Sequence, residues 1–286
     1  MTSVVVEPAP TRVAGGRLAD DARALRVVWK RELIRFGRNR LRIVTALVQP
    51  VLFLFILGTG LSPILTAGGG FSFRTFMFPG VVAMTVLFTS IFSAISIVWD
   101  REFGFLREML VAPVHRWSLV LGKCLGGATV ATIQGAIMLA LAGAVGVPYS
   151  PPMLAAMVGE MALTAFALTA FGVLVASRMA QVESFQVVTQ FFVLPMFFLS
   201  GAVFPLSHLP TWLGVLAKVD PLTYAVDPLR RAVFAHVRLP PALAHTLDPG
   251  VTWAGWRLPV GLELAMVAAA ALAMLLVAVG QFSRPD

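Results

Sequence analysis

The sequence is poor in charge. Of its 286 residues, 13% are Asp, Glu, Lys or Arg and 58% are hydrophobic, against about 25% charged and about 45–50% apolar in an ordinary soluble domain. A soluble fold of this length cannot cover its water-facing surface with so few polar groups, because that surface keeps growing with chain size. A soluble globular enzyme, a disordered chain and a nucleic-acid-binding domain are therefore excluded as main readings. Cysteine is almost absent. Cys124 stands alone, which excludes an internal disulfide and any metal site built from several cysteines. The four histidines, His115, His208, His236 and His245, show no metal-ligand spacing. No stretch reads GxxxxGK[ST]. The nearest string, Leu121-Gly122-Lys123-Cys124, lacks the earlier glycine and the following hydroxyl residue, so no phosphate-cradling loop is expected. A GxSxG elbow and paired intramembrane carboxylates are also missing. The first 40 residues lack the continuous apolar core and small-residue cleavage site of a signal peptide. Such a chain has no ATP site of its own. If it moves something uphill, the energy comes from ion coupling or from another polypeptide.

Long apolar runs are what the sequence does have. A membrane helix needs about 20 mostly apolar residues, and six runs qualify, at about 43–65, 76–98, 119–147, 153–176, 185–203 and 259–281. The third is long enough to tilt. Pro148, Pro151 and Pro152 leave a very short turn before the fourth, and Pro195 lies inside the fifth, where it removes a backbone donor. The expected fold class is an all-α integral membrane protein with six transmembrane helices. Residues 1–17 are expected to be a disordered tail, 18–40 an amphipathic helix, and 41–282 the six-span domain. Lys and Arg number 16 on the side of the two termini and 6 on the other. The positive-inside rule therefore puts both termini in the cytoplasm.

Three segments outside the spans are informative. In residues 18–36, Leu18, Ala22, Leu25, Trp29, Leu33 and Phe36 share one helical face, and Arg and Lys fill much of the rest. A basic amphipathic helix leading into a span belongs at the membrane interface, where it attracts anionic lipid. It could also touch a cytoplasmic partner. The connection 99–123, WDREFGFLREMLVAPVHRWSLVLGK, alternates charge (Asp100, Arg101, Glu102, Arg107, Glu108) around Phe103, Phe105, Leu106, Met109 and Leu110, and Pro113 ends the run. It reads either as a solvated turn or as a short helix whose apolar knob fits a groove on another protein. Residues 206–218 and 222–235 are each too short to span. They read as interfacial or re-entrant helices on the outer side, split at Asp220-Pro221, forming either a structural cap or an outer gate. Asp227 is spaced to pair with Arg230 or Arg231.

Within the spans, Glu160 is the one acid well inside an apolar run, and Glu263 lies near the start of the sixth. Glu160 is either a proton or cation site or a packing acid bonded to Thr or backbone. Two isolated acids make a thin case for an ion-coupled carrier. Gly122 and Gly126 give the GxxxG spacing that permits close helix approach. Phe191, Phe192, Met196, Phe197 and Phe198 crowd the fifth span, as packing or as an apolar substrate path.

These residues resemble a known family. DREFGFLREMLVAPVHRWSLVLGK is similar to the signature after the second span of type-2 ABC-transporter permeases, with Asp100, Arg101, Glu102, Gly104, Leu106, Pro113, Arg116, Gly122 and Lys123 on its pattern. FPGVVAMTVLFTSIFSAISIVWD before it resembles the daunorubicin/doxorubicin-resistance-type branch. The later Phe-Pro-x-x-x-x-Pro and Pro-Leu-Thr-Tyr-x-x-acid-x-x-Arg elements are matched by Phe204, Pro205, Pro210, Pro221, Leu222, Thr223, Tyr224, Asp227 and Arg230. Met109, Phe105, Arg107 and His115 depart from the commonest pattern. The resemblance covers about residues 20–282.

It implies an exporter permease for a hydrophobic or amphipathic drug, antibiotic or lipid, or else a lipid-linked saccharide. The permease pairs with a second permease chain and two soluble ABC ATPase subunits that carry ATP and Mg. The 100–113 segment becomes the coupling helix, with Arg101, Glu102, Gly104, Phe105, Leu106, Glu108, Leu110 and Pro113 as its contact residues. Leu25, Trp29, Leu33 and Phe36 become the interface face of a connecting helix. Phe204, Pro205, Pro221, Tyr224, Asp227 and Arg230 become the outer gate, and Phe191, Phe192, Met196 and Phe197 a possible substrate path. No metal, catalytic residue or nucleic acid is implied, and the compartment is the bacterial cell membrane.

Overall fold

The computed structural model describes residues 18–62, 72–104, 114–206, 209–237, 250–253 and 255–282. The expected tail 1–17 and the segment 105–113 lie outside the described residues.

Helix α1 (Leu18–Arg38) precedes six helices long and apolar enough to cross a membrane. These are α2 (Arg40–Gly60), α3 (Phe73–Glu102), α4 (Arg116–Leu139), α5 (Pro151–Ala176), α6 (Val182–Leu199) and α9 (Val260–Phe282). Two short helices, α7 (Thr211–Val219) and α8 (Thr223–Phe234), separate α6 from α9. Thr252–Trp253 and Trp256–Arg257 form a small antiparallel hairpin after them.

The bundle is organised around α3. Some 78% of its apolar stretch is buried, against 17% for α2 and 22% each for α6 and α9. Phe76, Met77, Phe78, Val82, Leu87 and Ile91 pack with α4, α5 and α8 in the main core. A second apolar cluster around Ile97, Val98, Cys124, Val173 and Phe185 lies toward the α1 end. Both proline-bearing peripheral spans stay helical. Pro50 lies inside α2, followed by a π-helical turn at Phe53–Leu57, and Pro195 lies inside α6 without ending it. A proline ring blocks one backbone hydrogen bond, and a widened turn is one way for a helix to absorb the misfit.

Five of the six expected spans agree closely with the structure. The third is shorter than its apolar run. Helix α4 stops at Leu139, a 3-10 turn follows at Ala142–Val145, and Gly146 takes φ +78°. The Thr75 hydroxyl bonds the Val145 carbonyl at 2.7 Å and the Tyr149 hydroxyl bonds the Ala140 carbonyl at 2.6 Å. Side chains from outside α4 thus satisfy carbonyls that a longer helix would have satisfied itself. Pro151 then opens α5 in its first turn, where a missing N–H is harmless.

The expected break at Asp220-Pro221 is present. Helix α7 is largely apolar and buries only Ala217, leaving Trp212, Val215 and Val219 exposed. Almost every residue of α8 is buried, against α3, α5 and α9.

Candidate functional site

The ion pairs among the described residues gather at the two ends of the bundle. At the α1 end, a buried ion-pair network joins α1, α3 and α4. Lys123 Nζ donates to Glu32 Oε1 at 2.8 Å, to Asp100 Oδ2 at 2.8 Å and to Ser96 Oγ at 2.9 Å. Arg31 Nη2 donates to the same Asp100 oxygen at 2.7 Å, and Arg35 lies 3.8 Å from the other. Lys123 is 8% exposed and Asp100 3%. Charges this deep persist only when paired and hydrogen-bonded, and this lysine meets both conditions.

Glycine lets α1 come this close. A Cβ on Gly126 would stand 2.7 Å from Glu32 Cβ, and one on Gly122 3.0 Å from Val28 Cβ. The GxxxG pair is therefore a close-approach surface, and the helix that uses it is α1. Further along, the Trp29 indole donates to Thr129 Oγ1 at 3.1 Å. At the head of α4, the His115 backbone N–H donates to Asp21 Oδ1 at 2.8 Å, and His115 Nδ1 lies 2.7 Å from Asp21 Oδ2. The backbone N–H bond is the main cause holding the Asp21 carboxyl below its ordinary value. From Asp21 against His115 to Glu32 against Gly126, α1 follows α4 in the same direction for 11 residues, about 16 Å.

The expected apolar stripe of α1 is not the face most buried in this contact, although Trp29 reaches α4 at its edge. Leu18 and Ala22 are exposed, and Leu25, Trp29, Leu33 and Phe36 are half-buried. Asp21, Val28 and Glu32 face the protein.

Arg101 and Arg116 tie this region to two other spans. Arg101 Nη1 donates to the carbonyls of Ser177 at 2.9 Å and Met179 at 3.0 Å, just past the end of α5. Arg116 donates to the carbonyl of Phe282 in the last turn of α9. Cations suit helix C-termini because the last carbonyls lack partners there. Glu102, Phe103 and Gly104 are exposed, and Gly104 takes φ +81°, a left-handed conformation open to glycine without a Cβ clash. It lies just past the end of α3, the place where a helix commonly closes on a left-handed glycine. Phe105, Leu106, Glu108, Leu110 and Pro113 lie outside the described residues. Both roots of that segment are held: Asp100 and Arg101 on one side, His115 and Arg116 on the other.

At the opposite end, Arg231 joins α8 to α9. It donates to Asp227 and, at 3.2 Å, to Glu263 Oε1, and its other nitrogen reaches the Leu258 carbonyl at 2.8 Å. Asp227 thus takes Arg231 of the two expected partners. Arg230 instead donates to the Gly201 carbonyl and lies 4.6 Å over the Phe76 ring. Tyr224 donates to the Lys218 carbonyl at 2.5 Å and receives the Trp253 indole N–H at 3.2 Å. Tyr224, Asp227 and Arg230 are thus buried, each with a polar partner inside the fold. Phe204 and Pro205 are half-buried in the turn after α6.

Pro221 and Met196 line one narrow cavity of about 20 Å³. The other expected path residues do not join Met196 there. Phe197 is buried against Phe53 at 5.8 Å, Phe192 packs edge-on to Phe171, and Phe191 is 74% exposed. Glu160 is buried in α5, and its Oε2 has no hydrogen-bond partner among the described residues. No group of three His, Cys, Asp or Glu residues that could hold a metal occurs among the described residues.

Sequence reasoning passed over Glu32 and Ser96, placed Arg31 on the basic face of the first helix, and gave Lys123 no ion-pair partner. A lysine four residues into the apolar run 119–147 was itself the available signal. It requires carboxylates, and Glu32 and Asp100 were two of the six acids in residues 18–115.

Five apolar helices around a buried sixth, α3, closed at one end by an ion-paired frame, define a polytopic α-helical membrane protein. The chain belongs to the ABC-2 type transporter family, which matches residues 23–234. It is a permease subunit of an ABC transporter. Among similar proteins, Nodulation protein J of Rhizobium leguminosarum bv. trifolii is 30% identical over 212 residues, 73% of this chain and 80% of the relative. The "Probable doxorubicin resistance ABC transporter permease protein DrrC" of Mycobacterium tuberculosis is 26% identical over 237 residues, 80% of this chain and 84% of the relative. The "Probable multidrug ABC transporter permease YbhR" of Escherichia coli strain K12 is 30% identical over 157 residues, 54% of this chain and 42% of the relative.

Proposed function

We propose that this chain is the membrane half of an ATP-driven exporter that moves a hydrophobic or amphipathic drug, antibiotic or lipid out of the cell. ATP and Mg bind two copies of a soluble ATPase subunit, and a second permease chain completes the path. Both termini and the α1 end face the cytoplasm. The short helices α7 and α8 lie on the outer side, re-entering the membrane near the exit, and the 100–113 segment seats in the ATPase. The assembled complex hydrolyses ATP, and this chain supplies no catalytic group.

The observation that carries the reading is the clamping of both roots of 105–113. Asp100 is tied to α1 and α4, Arg101 to the end of α5, His115 to α1 and Arg116 to the end of α9. A push delivered to that segment is handed to four helices at once. A free surface turn has no need of such anchoring.

The relatives carry different names, doxorubicin resistance for one and nodulation for another. Kinship alone therefore does not choose the cargo, and export of a lipid-linked saccharide by the same architecture is the second reading. The test is purification of the tagged chain from its native membrane in mild detergent. A stoichiometric ATPase should co-purify with the wild type and be lost with Leu106→Glu, while the variant still inserts. Retention of the ATPase and normal export by Leu106→Glu would refute the docking role. Transport that survives ATP depletion and is abolished by Glu160→Gln would replace the ATP-driven reading with an ion-coupled one.

A further inference from the structure

A cavity of about 210 Å³ lies between α1, α2, α3 and α4. Its walls differ along its depth. Arg35, Arg42 and Ser96 stand at the α1 end, and Pro50, Met84 and Phe88 line the deeper part. Ala46 and Gln49, on the α2 side, are exposed, so the cavity opens sideways along a span that packs weakly on the bundle.

The charges at its mouth do not balance. Of the charged residues that line it, Arg35 and Arg42 stand with one carboxylate, Glu32, and behind them Arg31 and Lys123 hold Asp100. Glu32 and Asp100 are already engaged by Lys123 at 2.8 Å. Arg35 Nη1 is a buried donor without a hydrogen-bond partner, and Arg42 Nη2 reaches the Phe92 carbonyl only at 3.4 Å. Two guanidinium groups with spare donors therefore face one space, at the depth where α2 begins. Guanidinium forks match phosphate oxygens, and a cation at membrane depth calls for an anion. The apolar inner wall calls for hydrocarbon on the same ligand. At about 30 Å³ for each group of water size, the cavity holds about seven such groups. That suffices for a phosphodiester and the first carbons attached to it, with the rest of the chains left in the bilayer.

We propose that this cavity binds one anionic phospholipid from the adjoining leaflet, its phosphate between Arg35 and Arg42 and its upper acyl carbons against Met84 and Phe88. The lipid completes the contact between α1 and α2 by neutralising the excess positive charge.

The full-length chain, with any partners that co-purify, would be purified in mild detergent and exposed to phosphatidylglycerol, phosphatidylcholine or inorganic phosphate. Retained lipid would be read by native mass spectrometry and stabilisation by thermal unfolding. One phosphatidylglycerol per chain should be retained, at least tenfold in preference to phosphatidylcholine, with no stabilisation by millimolar phosphate. Arg35→Gln with Arg42→Gln should lower retention at least tenfold. Arg38→Gln with Arg40→Gln, which removes equal charge from exposed positions nearby, should change it less than twofold. Ala46→Trp, which blocks the side opening with the charges intact, should also abolish retention, so misfolding of the arginine variant leaves the question open to test. Equal retention of phosphatidylcholine, equal loss in the Arg38/Arg40 variant, stabilisation by phosphate alone, or unchanged retention in Ala46→Trp would each overturn the proposal.

Discussion

Replacing Lys123 with methionine tests the frame at its centre. Methionine keeps most of the side-chain volume and removes the charge. Removing one member of a buried ion pair costs about 3–5 kcal/mol, because the partner is left charged and unpaired. Asp100 keeps Arg31 at 2.7 Å, whereas Glu32 keeps no cation closer than Arg31 at 3.9 Å and only a 3.4 Å bond from the Ser96 hydroxyl. One carboxylate is orphaned rather than two, which places the expected loss at the lower end, about 3 kcal/mol. Adding Glu32→Gln removes that orphan. What remains is lost hydrogen bonds, worth about 1 kcal/mol each. The double variant should therefore recover about 1–2 kcal/mol of the loss, a coupling of the size expected for contacting residues. The assay is denaturant unfolding of the purified chain, with limited proteolysis of α1 as a local readout. A single variant within about 0.5 kcal/mol of wild type, the usual range for inconsequential surface changes, would refute the reasoning. So would single and double losses that simply add.

Gly126→Val should push α1 off α4, since its Cβ would fall 2.7 Å from Glu32 Cβ. The expected cost is about 1–3 kcal/mol, as for other overpacked cores, with faster cleavage within residues 18–38 in timed proteolysis. Arg231→Met should leave Asp227 and Glu263 facing each other without their shared cation. A loss of about 3–5 kcal/mol is expected, and Arg231→Met/Glu263→Gln should reverse part of it in the same unfolding assay. Burial pushes the Asp220 carboxyl up from 3.8 to about 7. A raised folded value means that the native state holds a proton the unfolded chain has released. The stability from this group is therefore complete below about pH 4 and lost as pH rises through about 7. Asp220→Asn should flatten that part of a stability–pH profile, and an unchanged slope would contradict the assignment.

The spans were legible because hydropathy is a local property. So were the split at Asp220-Pro221, where proline interrupts a run already too short to cross, and the close approach at Gly122 and Gly126. The end of the third span was not. Its apolar run continues past Leu139, and hydropathy does not register that Gly146 turns left-handed or that Thr75 takes the Val145 carbonyl. The pairing of the charges was hidden for a related reason. Glu32 and Lys123 stand 91 residues apart, Arg31 and Asp100 69, and neither spacing leaves a mark in the local pattern. The stripe of apolar residues on α1 was visible, but the face that packs is set by Asp21 and Glu32, whose partners lie on another helix. At the far end, Asp227 chose Arg231 over Arg230 because Glu263 and the Leu258 carbonyl draw the same guanidinium.

The position of Lys123 in the chain has a consequence for biosynthesis. Its carboxylate partners, Glu32 and Asp100, both precede it, so the ribosome delivers both acids before the lysine emerges. A lysine at the centre of a membrane helix costs about 2.5–3.5 kcal/mol on insertion, and less toward the ends. Here the helix that carries the charge arrives last, at a seat where compensation is already waiting. The Asp21 side chain, made still earlier, stands ready to receive the head of that same helix. The direction of synthesis and the order of assembly thus coincide, and α4 never has to hold an unpaired charge in the bilayer while its partners are still to be made.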